Sequence, residues 1–362
     1  MLTLKERNRA TLARQLLLSR SPLTPRDAMG QIVGLQAQVA APPFIGLWTR
    51  LDGFARAEFE KVLVSRAVVR APFFRSTLHF VTADDFCRFR LAIEPALRRA
   101  LSAFFGERAR GLPETTLTEA ARALLAEKSY TFAALAAALK PHAPDADPDA
   151  VAYLVRTRLP LVQVPNGGAW GYGNSAEYAL GEAFTGRTLA PVAEGLPELV
   201  RHYLRAFGPA TVRDIQTFSG LTGLQSTVHA LRPELRVFAN ENGAELFDMP
   251  DAPLPPGDAP APIRFLPEYD NLLLAHNDRT RIIADEHRRL VFLSAARVRA
   301  TFLVDGFVGG AWTIERMNKT VTLVIEPFTP LADPDREALA EEGERLLRFV
   351  EPGAVTFAVR FT

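Results

Sequence analysis

Hydrophobic residues in the first third of the chain alternate between helical and strand spacing. Thr3-Leu4-Lys5-Glu6 is a capping box that opens an amphipathic helix to about Ser19, with Leu12, Leu16 and Leu17 on one face. Thr24-Pro25-Arg26-Asp27 begins a second helix, which ends near Gly34. A helix over 54–64, a β-rich stretch over 68–81 and a helix opened at Thr82 come next. This order predicts a mixed helix-and-strand N-terminal region.

The middle of the chain shows one order of elements twice. Residues 115–172 predict helices over 117–128, from Thr131 and over 149–158, then strands at 161–164 and 169–172 around an Asn-Gly-Gly turn. Residues 196–248 predict helices over 196–207, from Thr211 and over 224–231, then strands at 235–238 and 245–247 around Asn242-Gly243. Three helices followed by a hairpin are typical of a winged-helix unit.

The last hundred residues follow a proline-rich linker at 251–262. They predict a hairpin over 280–293, strands at 302–304, 307–312, 320–325 and 355–361, and a helix over 334–349 capped by Asp333. We therefore expect an α+β fold of tandem winged-helix units with a C-terminal α+β subdomain. The expected units are a basic winged-helix-like unit at 1–110, winged helices at 111–190 and 191–250, and the subdomain at 263–362.

The charge of the chain is unevenly distributed, although its net charge is only +1. Residues 1–110 hold 18 Lys and Arg against 9 Asp and Glu, a net of +9, which leaves −8 for the remainder. A basic half of this kind fits a nucleic-acid partner. The hydrophobic fraction of 48% is ordinary for a globular protein. We expect a cytoplasmic protein, because the charged N-terminus lacks a signal-peptide core and no apolar run could span a bilayer. We also expect a monomer.

Two neutral amides one residue apart stand in the segment Gly34-Leu35-Gln36-Ala37-Gln38. In an extended segment the side chains of Gln36 and Gln38 point to the same side. Each carboxamide offers both a donor and an acceptor, so that the pair can hold one water molecule. This arrangement suits hydrolysis of a bond whose leaving group is already activated. The alternative is that these are ordinary polar residues at a helix end.

The sequence gives little support for a metal site, a nucleotide-cofactor site or a catalytic carboxylate. The six histidines and the single cysteine, Cys87, show no metal-ligand spacing, and no Gly-x-Gly-x-x-Gly or Walker pattern is present. We expect no metal and no cofactor. The acidic segment Pro267-Glu268-Tyr269-Asp270-Asn271 favours a capped helix start over a catalytic carboxylate.

Two basic segments in the C-terminal part could meet DNA. Arg316-Met317-Asn318-Lys319 joins two apolar strands, and a basic hairpin tip with one flexible apolar side chain suits a minor-groove probe. His287 and Arg288, which we place at the tip of the preceding hairpin, form a second candidate. A solvated turn is the alternative for both.

The chain resembles the AlkZ-type bacterial DNA glycosylases. The resemblance rests on Gly34–Gln38 with Pro42 and the segment 45–48, on Arg75-Ser76-Thr77-Leu78-His79, and on the segment 266–271. It covers essentially the whole chain and implies tandem winged-helix units in a C-shaped arrangement around DNA, with a hairpin in the minor groove. The family motif of Gln, an aliphatic residue and Gln is filled here by Gln36, Ala37 and Gln38.

The resemblance implies a monofunctional enzyme that removes N7-alkylated guanine, bulky or crosslinked, from double-stranded DNA. It places Gln36 and Gln38 at the catalytic water, and Gln38 at the second position indicates the antibiotic-resistance side of the family. We expect DNA contacts from Arg75, His287, Arg288, Arg316, Met317 and Lys319. The same units would also serve a winged-helix transcription regulator, or a catalytically silent protein that binds damaged DNA.

Overall fold

The computed structural model describes residues 1–173, 175–294 and 297–362. The α-helices of this part of the chain are α1 Leu4–Arg14, α2 Pro25–Gln31, α3 Pro42–Trp48, α4 Arg56–Val64, α5 Ala83–Phe89, α6 Glu94–Phe105, α7 Glu114–Glu127, α8 Phe132–Leu139, α9 Pro148–Arg158, α10 Gly181–Thr185, α11 Val192–Phe207, α12 Val212–Ser219, α13 Gln225–Leu231, α14 Asn271–Leu274, α15 Arg288–Val291 and α16 Asp333–Val350. The strands are β1 Leu35–Gln36, β2 Val68–Pro72, β3 Leu78–Thr82, β4 Leu161–Gln163, β5 Tyr178–Leu180, β6 Arg236–Ala239, β7 Glu245–Asp248, β8 Arg264–Leu266, β9 Phe292–Ser294, β10 Arg297–Val298, β11 Thr301–Val304, β12 Phe307–Met317, β13 Thr320–Pro327 and β14 Thr356–Phe361. The expectation of an α+β fold is confirmed.

The first sheet joins strands from both predicted N-terminal units. Its order is β1-β3-β2-β4-β5, so that β4 and β5, which follow α9, extend the sheet that begins beside the Gln pair. The predicted strand at 169–172 is wrong. Trp170 and Gly171 are left-handed, with φ of 58° and 81°, and the chain forms a single 3-10 turn over Ala169–Gly171 before β5 begins at Tyr178. Left-handed residues cannot continue a strand.

The third predicted unit has the expected order of elements. Helices α11, α12 and α13 are followed by the two-stranded hairpin of β6 and β7. Its buried aromatic residues, among them Tyr203, Phe207 and Phe218, share one hydrophobic core with Phe73 and Phe86 of the first unit. This shared core places the end of α12 against the loop that precedes β3, and so next to the site described below.

The C-terminal subdomain is a five-stranded sheet of order β14-β13-β12-β11-β8, packed against α16. Two expectations for this region are wrong. Residues 285–291 form a 3-10 turn and α15 in place of a hairpin over 280–293, and His287 and Arg288 therefore lie in a helical turn. The cap of α16 is Ala332, with no side-chain hydrogen bond, and Asp333 is the first helical residue, where a carboxylate still favours the helix dipole.

Two buried ion pairs connect the N-terminal helices to distant parts of the chain. Arg50 holds Asp270 through two hydrogen bonds of 2.8 Å, and Arg14 holds Asp248 through bonds of 2.6 and 3.0 Å. Asp270 also caps α14 by accepting from the backbone N–H of Leu272, which confirms the capped helix start expected at this segment. In the ranges that the structure describes, no helix is long and apolar enough to cross a membrane.

Candidate active site around a glutamine pair

The Gln pair is brought onto the first sheet by a sharp reversal after α2. Val33 and Gly34 adopt left-handed conformations with φ of 59° and 83°. A Cβ atom at Gly34 would lie 2.6 Å from the carbonyl oxygen of Phe80, so that only glycine fits there. The reversal turns Leu35 and Gln36 into β1, which pairs with Phe80 and His79 of β3.

Side chains alternate along the motif as the extended backbone requires. Ala37 is completely buried in the hydrophobic core, whereas Gln36 and Gln38 both line one cleft of about 710 Å³. The other lining residues come from the first two units and the C-terminal subdomain; they are Arg75, Ser76, Thr77, Phe104, Phe105, Arg108, Tyr153, Arg156, Tyr269, Leu274, Arg279 and Val298. The expectation that the two amides face the same side is therefore met.

The carboxamide oxygens of both glutamines are held by donors that cannot accept. Arg75 donates from Nη2 to Oε1 of Gln36 at 3.1 Å, and the backbone N–H of Leu78 donates to Oε1 of Gln38 at 3.3 Å. Because a guanidinium and a backbone N–H offer only hydrogens, the oxygen end of each amide must face them. The NH₂ ends make no hydrogen bond within residues 1–173, 175–294 and 297–362. Each amide thus presents a free NH₂ group and one spare oxygen lone pair.

Arg75 connects three parts of the molecule at the wall of the cleft. Its Nη1 donates to the carbonyl oxygen of Phe218 at 2.7 Å, and its Nη2 also donates to Oδ1 of Asn271 at 3.2 Å. Asn271 in turn donates to the carbonyl of Gly34 at 3.1 Å. Burial, and to a smaller extent the charge of Arg279, lower the pKa of Arg75 to about 10. At neutral pH Arg75 is therefore still a cation.

The backbone at Arg75 is unusual as well. Arg75 and Ser76 are consecutive left-handed residues with φ of 54° and 59°. Such a conformation costs about 1–2 kcal/mol per residue in a chain of L-amino acids. Ser76 is held by Tyr153, whose hydroxyl lies 3.1 Å from the Ser76 Oγ, and by Arg156, which donates to the Ser76 carbonyl at 3.1 Å. The strained turn is thus fixed by contacts on both sides, and it aims Arg75 at Gln36.

The electrostatics of the cleft are one-sided. Arg75, Arg108, Arg156 and Arg279 line it, and among the residues that the structure describes no carboxylate does so. Arg108 pairs with Asp147 outside the lining. Burial, and then the charge of Arg75, hold the pKa of the neighbouring His79 well below its usual value, so that its imidazole is neutral. The cleft therefore contains two neutral amides and a set of permanent cations.

Of the residues expected to contact DNA, only Arg75 lies at the Gln pair, and its guanidinium is engaged by protein acceptors. Met317 is 75% exposed at the β12–β13 turn, as the sequence indicates, with Arg316 bonded to Glu351 at 2.7 Å. Lys319 is exposed on the same turn. His287 packs beside Phe328, and Arg288 pairs with Asp285 at 3.2 Å. Arg156 and Arg279, which line the cleft, were not predicted, because neither belongs to a local motif.

Comparisons with known proteins show the family of the chain. A profile of the family described as DNA glycosylase AlkZ-like matches residues 29–349. The chain belongs to the AlkZ-like DNA glycosylase family. The expected family and enzyme class are thereby confirmed, and the chain is a DNA glycosylase.

Two individual proteins show the extent of the likeness to this glycosylase family. An interstrand DNA cross-link repair glycosylase of Streptomyces sahachiroi is 26% identical over 355 residues, covering 91% of this chain and 90% of the relative. The solved structure of Streptomyces sahachiroi DNA glycosylase AlkZ covers 100% of both chains with a TM-score of 0.83 and 21% identity. This structural match shows that the AlkZ-like fold extends over the whole chain.

Proposed function

We propose that this glycosylase hydrolyses the N-glycosidic bond of N7-alkylated guanine in duplex DNA, with Gln36 and Gln38 positioning the attacking water. The observation that carries the proposal is the placement of both amides in one cleft that contains no carboxylate. The cleft offers no strong base, so that its chemistry requires a substrate whose leaving group is already activated.

N7-alkylation supplies that activation. The alkylated guanine is cationic and leaves as a neutral base, so that little protonation is needed. The enzyme has mainly to hold a water near C1′ as the sugar gains oxocarbenium character, and fixed geometry of this kind accounts for much of catalysis. A neutral amide does this without the desolvation cost of a buried charge.

We infer that the free atoms of the two amides hold one water molecule between them. The spare lone pair on each Oε1 can accept a proton from the water, and the NH₂ groups can donate to the water or to the sugar oxygen. A water that donates both protons to amide oxygens directs a lone pair outward, towards a sugar that enters the cleft. Arg75 keeps the Gln36 oxygen in place for this role.

The reaction proposed here is monofunctional. A lyase needs an amine that forms a Schiff base with the sugar. No lysine lines the cleft, and along the sequence the lysines nearest to the Gln pair are Lys5 and Lys61. Trapping of a covalent DNA complex with sodium borohydride would contradict this part of the proposal.

Interstrand crosslinks are the proposed natural lesion class, in line with the printed name of the Streptomyces sahachiroi relative. The cleft is lined on one side by Phe104, Phe105 and Tyr153 and has no closing lid in the ranges described, so that a base tethered to the opposite strand need not be enclosed. Flipping into a tight pocket, the usual route of glycosylases, is not available to such a base.

The experiment is a single-turnover incubation with a duplex that carries one N7-methylguanine, followed by alkaline cleavage of abasic sites. We expect strand breaks with the wild type and at least a hundredfold slower breaks with Gln36→Ala and with Gln38→Ala. Gln31→Ala is the matched control, because Gln31 is an exposed glutamine that ends α2 outside the cleft. Unchanged turnover in either motif variant would contradict the proposed role of that glutamine.

A further inference from the structure

Three arginines of the cleft have no anionic partner in the described part of the chain, but the guanidinium of one of them, Arg75, is occupied by neutral acceptors. Arg156 and Arg279 form no ion pair with any residue in the ranges 1–173, 175–294 and 297–362, whereas Arg108 is neutralised by Asp147. The guanidinium of Arg279 has no hydrogen-bond acceptor within the same ranges, and its Nε is buried without a partner. The Nε of Arg156 is likewise buried and unpartnered. Leaving a buried charged donor unsatisfied is costly, so that an acceptor from outside the chain is expected.

Both guanidinium groups lie over aromatic rings. Arg279 lies 4.3 Å from the ring centre of Phe292, and Arg156 lies 5.2 Å from that of Tyr153. A contact of this kind limits the orientations of the guanidinium. In the described ranges the Nη groups of Arg279 make no hydrogen bond, whereas Arg156 uses Nη2 on the Ser76 carbonyl and keeps Nη1 for another acceptor. The phosphate oxygens of nucleic acid are suitable acceptors for these free Nη donors.

The sign of the charge decides which part of a damaged nucleotide enters. Four arginines and no carboxylate line the cleft, so that a cationic N7-alkylguanine is repelled and the anionic backbone is attracted. We propose that Arg156 and Arg279 bind the backbone phosphates that flank the lesion, and thereby hold the sugar against the Gln pair while the cationic base stays outside the cleft. This proposal rests on the proposed function and deepens it, because it assigns the substrate contacts of the same site.

A second depression, of about 390 Å³, adjoins the cleft at Arg279. It is lined by Arg279, Arg288 and Arg289 with one carboxylate, Asp285, which pairs with Arg288, so that cations outnumber anions there as well. Arg156 comes from α9 of the second unit, whereas Arg279 follows α14 in the C-terminal subdomain. A backbone that passes both arginines therefore bridges two units, and its register against Gln36 is set by contacts that carry no base information.

The test replaces single phosphates by neutral methylphosphonates. Duplexes with one N7-methylguanine carry the replacement at the 5′ phosphate of the lesion, at its 3′ phosphate, or ten nucleotides away. Single-turnover rates are measured for the wild type, Arg156→Met, Arg279→Met and Arg205→Met. Arg205 is the charge-matched control, because it is exposed on α11 and lines no part of the cleft.

We expect one flanking methylphosphonate to slow the wild type by about tenfold or more, as loss of a charge-assisted hydrogen bond should. The arginine variant that lacks the partner of that phosphate should cleave the unmodified duplex as slowly as the wild type cleaves the modified one. The methylphosphonate should not slow this variant any further. Arg205→Met should keep the full sensitivity. Indifference of the wild type to both flanking replacements, or losses that multiply in both arginine variants, would overturn the proposal.

A binding measurement separates this proposal from the proposed function. A duplex with a 2′-fluorinated lesion sugar resists cleavage, and its dissociation constant is measured against salt concentration. Each of Arg156→Met and Arg279→Met should reduce the slope of log K against log salt by about 1. A wild type that cleaves nothing would refute the glycosylase reaction, while this slope still reports on the phosphates. Should a Met variant unfold, Arg→Gln at the same position takes its place in both measurements.

Discussion

Arg75 donates a hydrogen bond of 3.1 Å to the carboxamide oxygen of Gln36, although the two residues stand 39 positions apart. The same guanidinium reaches Phe218 of the third unit and Asn271 of the C-terminal subdomain. The rotation of the Gln36 amide is therefore set by residues of three units. Arg75 is a positioning residue, and the site is complete only when all three units are packed together.

Replacing Arg75 by lysine tests this relationship. Lysine keeps a positive charge, but its single ammonium cannot bond the three acceptors that the planar guanidinium reaches. We expect Arg75→Lys to slow single-turnover cleavage of an N7-methylguanine duplex by about tenfold or more, with duplex affinity changed by less than about threefold. Arg66→Lys, at an exposed arginine that stacks on Phe184, is the control and should retain the wild-type rate.

A double-mutant cycle decides whether Arg75 acts through Gln36. Residues that share one interaction have effects that do not add. The double variant Arg75→Lys, Gln36→Ala should therefore be no slower than Gln36→Ala alone. If the fold losses of the two single variants multiply in the double variant, Arg75 contributes by another route, for example by contacting the DNA directly.

Gln36→Glu separates the role of the NH₂ group from the shape of the side chain. The carboxylate would face Arg75, which has no acidic partner in the part of the chain that the structure describes, so that the variant should be at least as stable as the wild type. The variant lacks the amide hydrogens, and its carboxylate is held by an ion pair with Arg75. We expect cleavage to slow by about a hundredfold while the melting temperature stays equal or rises. A variant that is both stable and fully active would show that the NH₂ group is dispensable.

The rate should be nearly independent of pH. Amides do not titrate, Arg75 has a pKa of about 10, and burial with the charge of Arg75 keeps His79 neutral by lowering its pKa. We therefore expect the single-turnover rate on N7-methylguanine to vary by less than about threefold between pH 6 and 9. If a plot of log rate against pH has a limb of unit slope in this window, the reaction depends on a titrating acid or base, and the proposed role of the neutral amides is contradicted.

The sequence predicted those parts of the site that depend on local spacing. The alternation of Gln36, Ala37 and Gln38 follows from an extended backbone, and the hairpin that carries Met317 follows from two apolar strands around a polar turn. Local pattern could not reveal Arg156 or Arg279, because each reaches the cleft only through the packing of whole units. It also misplaced His287 and Arg288, since an apolar stretch broken by charged residues fits a hairpin and a short helix equally well.

The wrong prediction of a strand at 169–172 has a related cause. The Asn166-Gly167-Gly168 turn was correctly expected to end β4, but Trp170 and Gly171 are left-handed, and the returning strand begins only at Tyr178. There it pairs with β4 from Leu161 to Gln163, inside a sheet that also contains β2 and β3. The position of β5 is fixed by a sheet to which the first unit contributes three strands, and no window of local sequence contains that information.

Met317 allows a test of the hairpin tip. It is 75% exposed at the tip of a hairpin that also carries Arg316 and Lys319, and an apolar side chain between cations suits insertion into the minor groove. We expect Met317→Ala to slow cleavage by about fivefold or more without changing the salt dependence of binding, because no charge is lost. Lys319→Ala should instead reduce the salt slope by about 1. Val64→Ala, at an equally exposed apolar residue outside the cleft, should change neither quantity.

Acid should weaken the fold through His276. Burial lowers the pKa of His276 to about 3, followed by the charge of Arg281 and opposed by that of Asp214. The unfolded chain therefore binds a proton near pH 6.5 that the folded chain does not bind, and stability is lost as the pH falls below that value. For His276 alone the free energy of unfolding should fall by about 2 kcal/mol between pH 7 and pH 5. Urea unfolding at the two pH values measures the difference, and His276→Gln should reduce it by that amount whatever its own effect at pH 7. If the free energy of unfolding of the variant falls between pH 7 and pH 5 by as much as that of the wild type, His276 is not a neutral, buried residue in the folded protein.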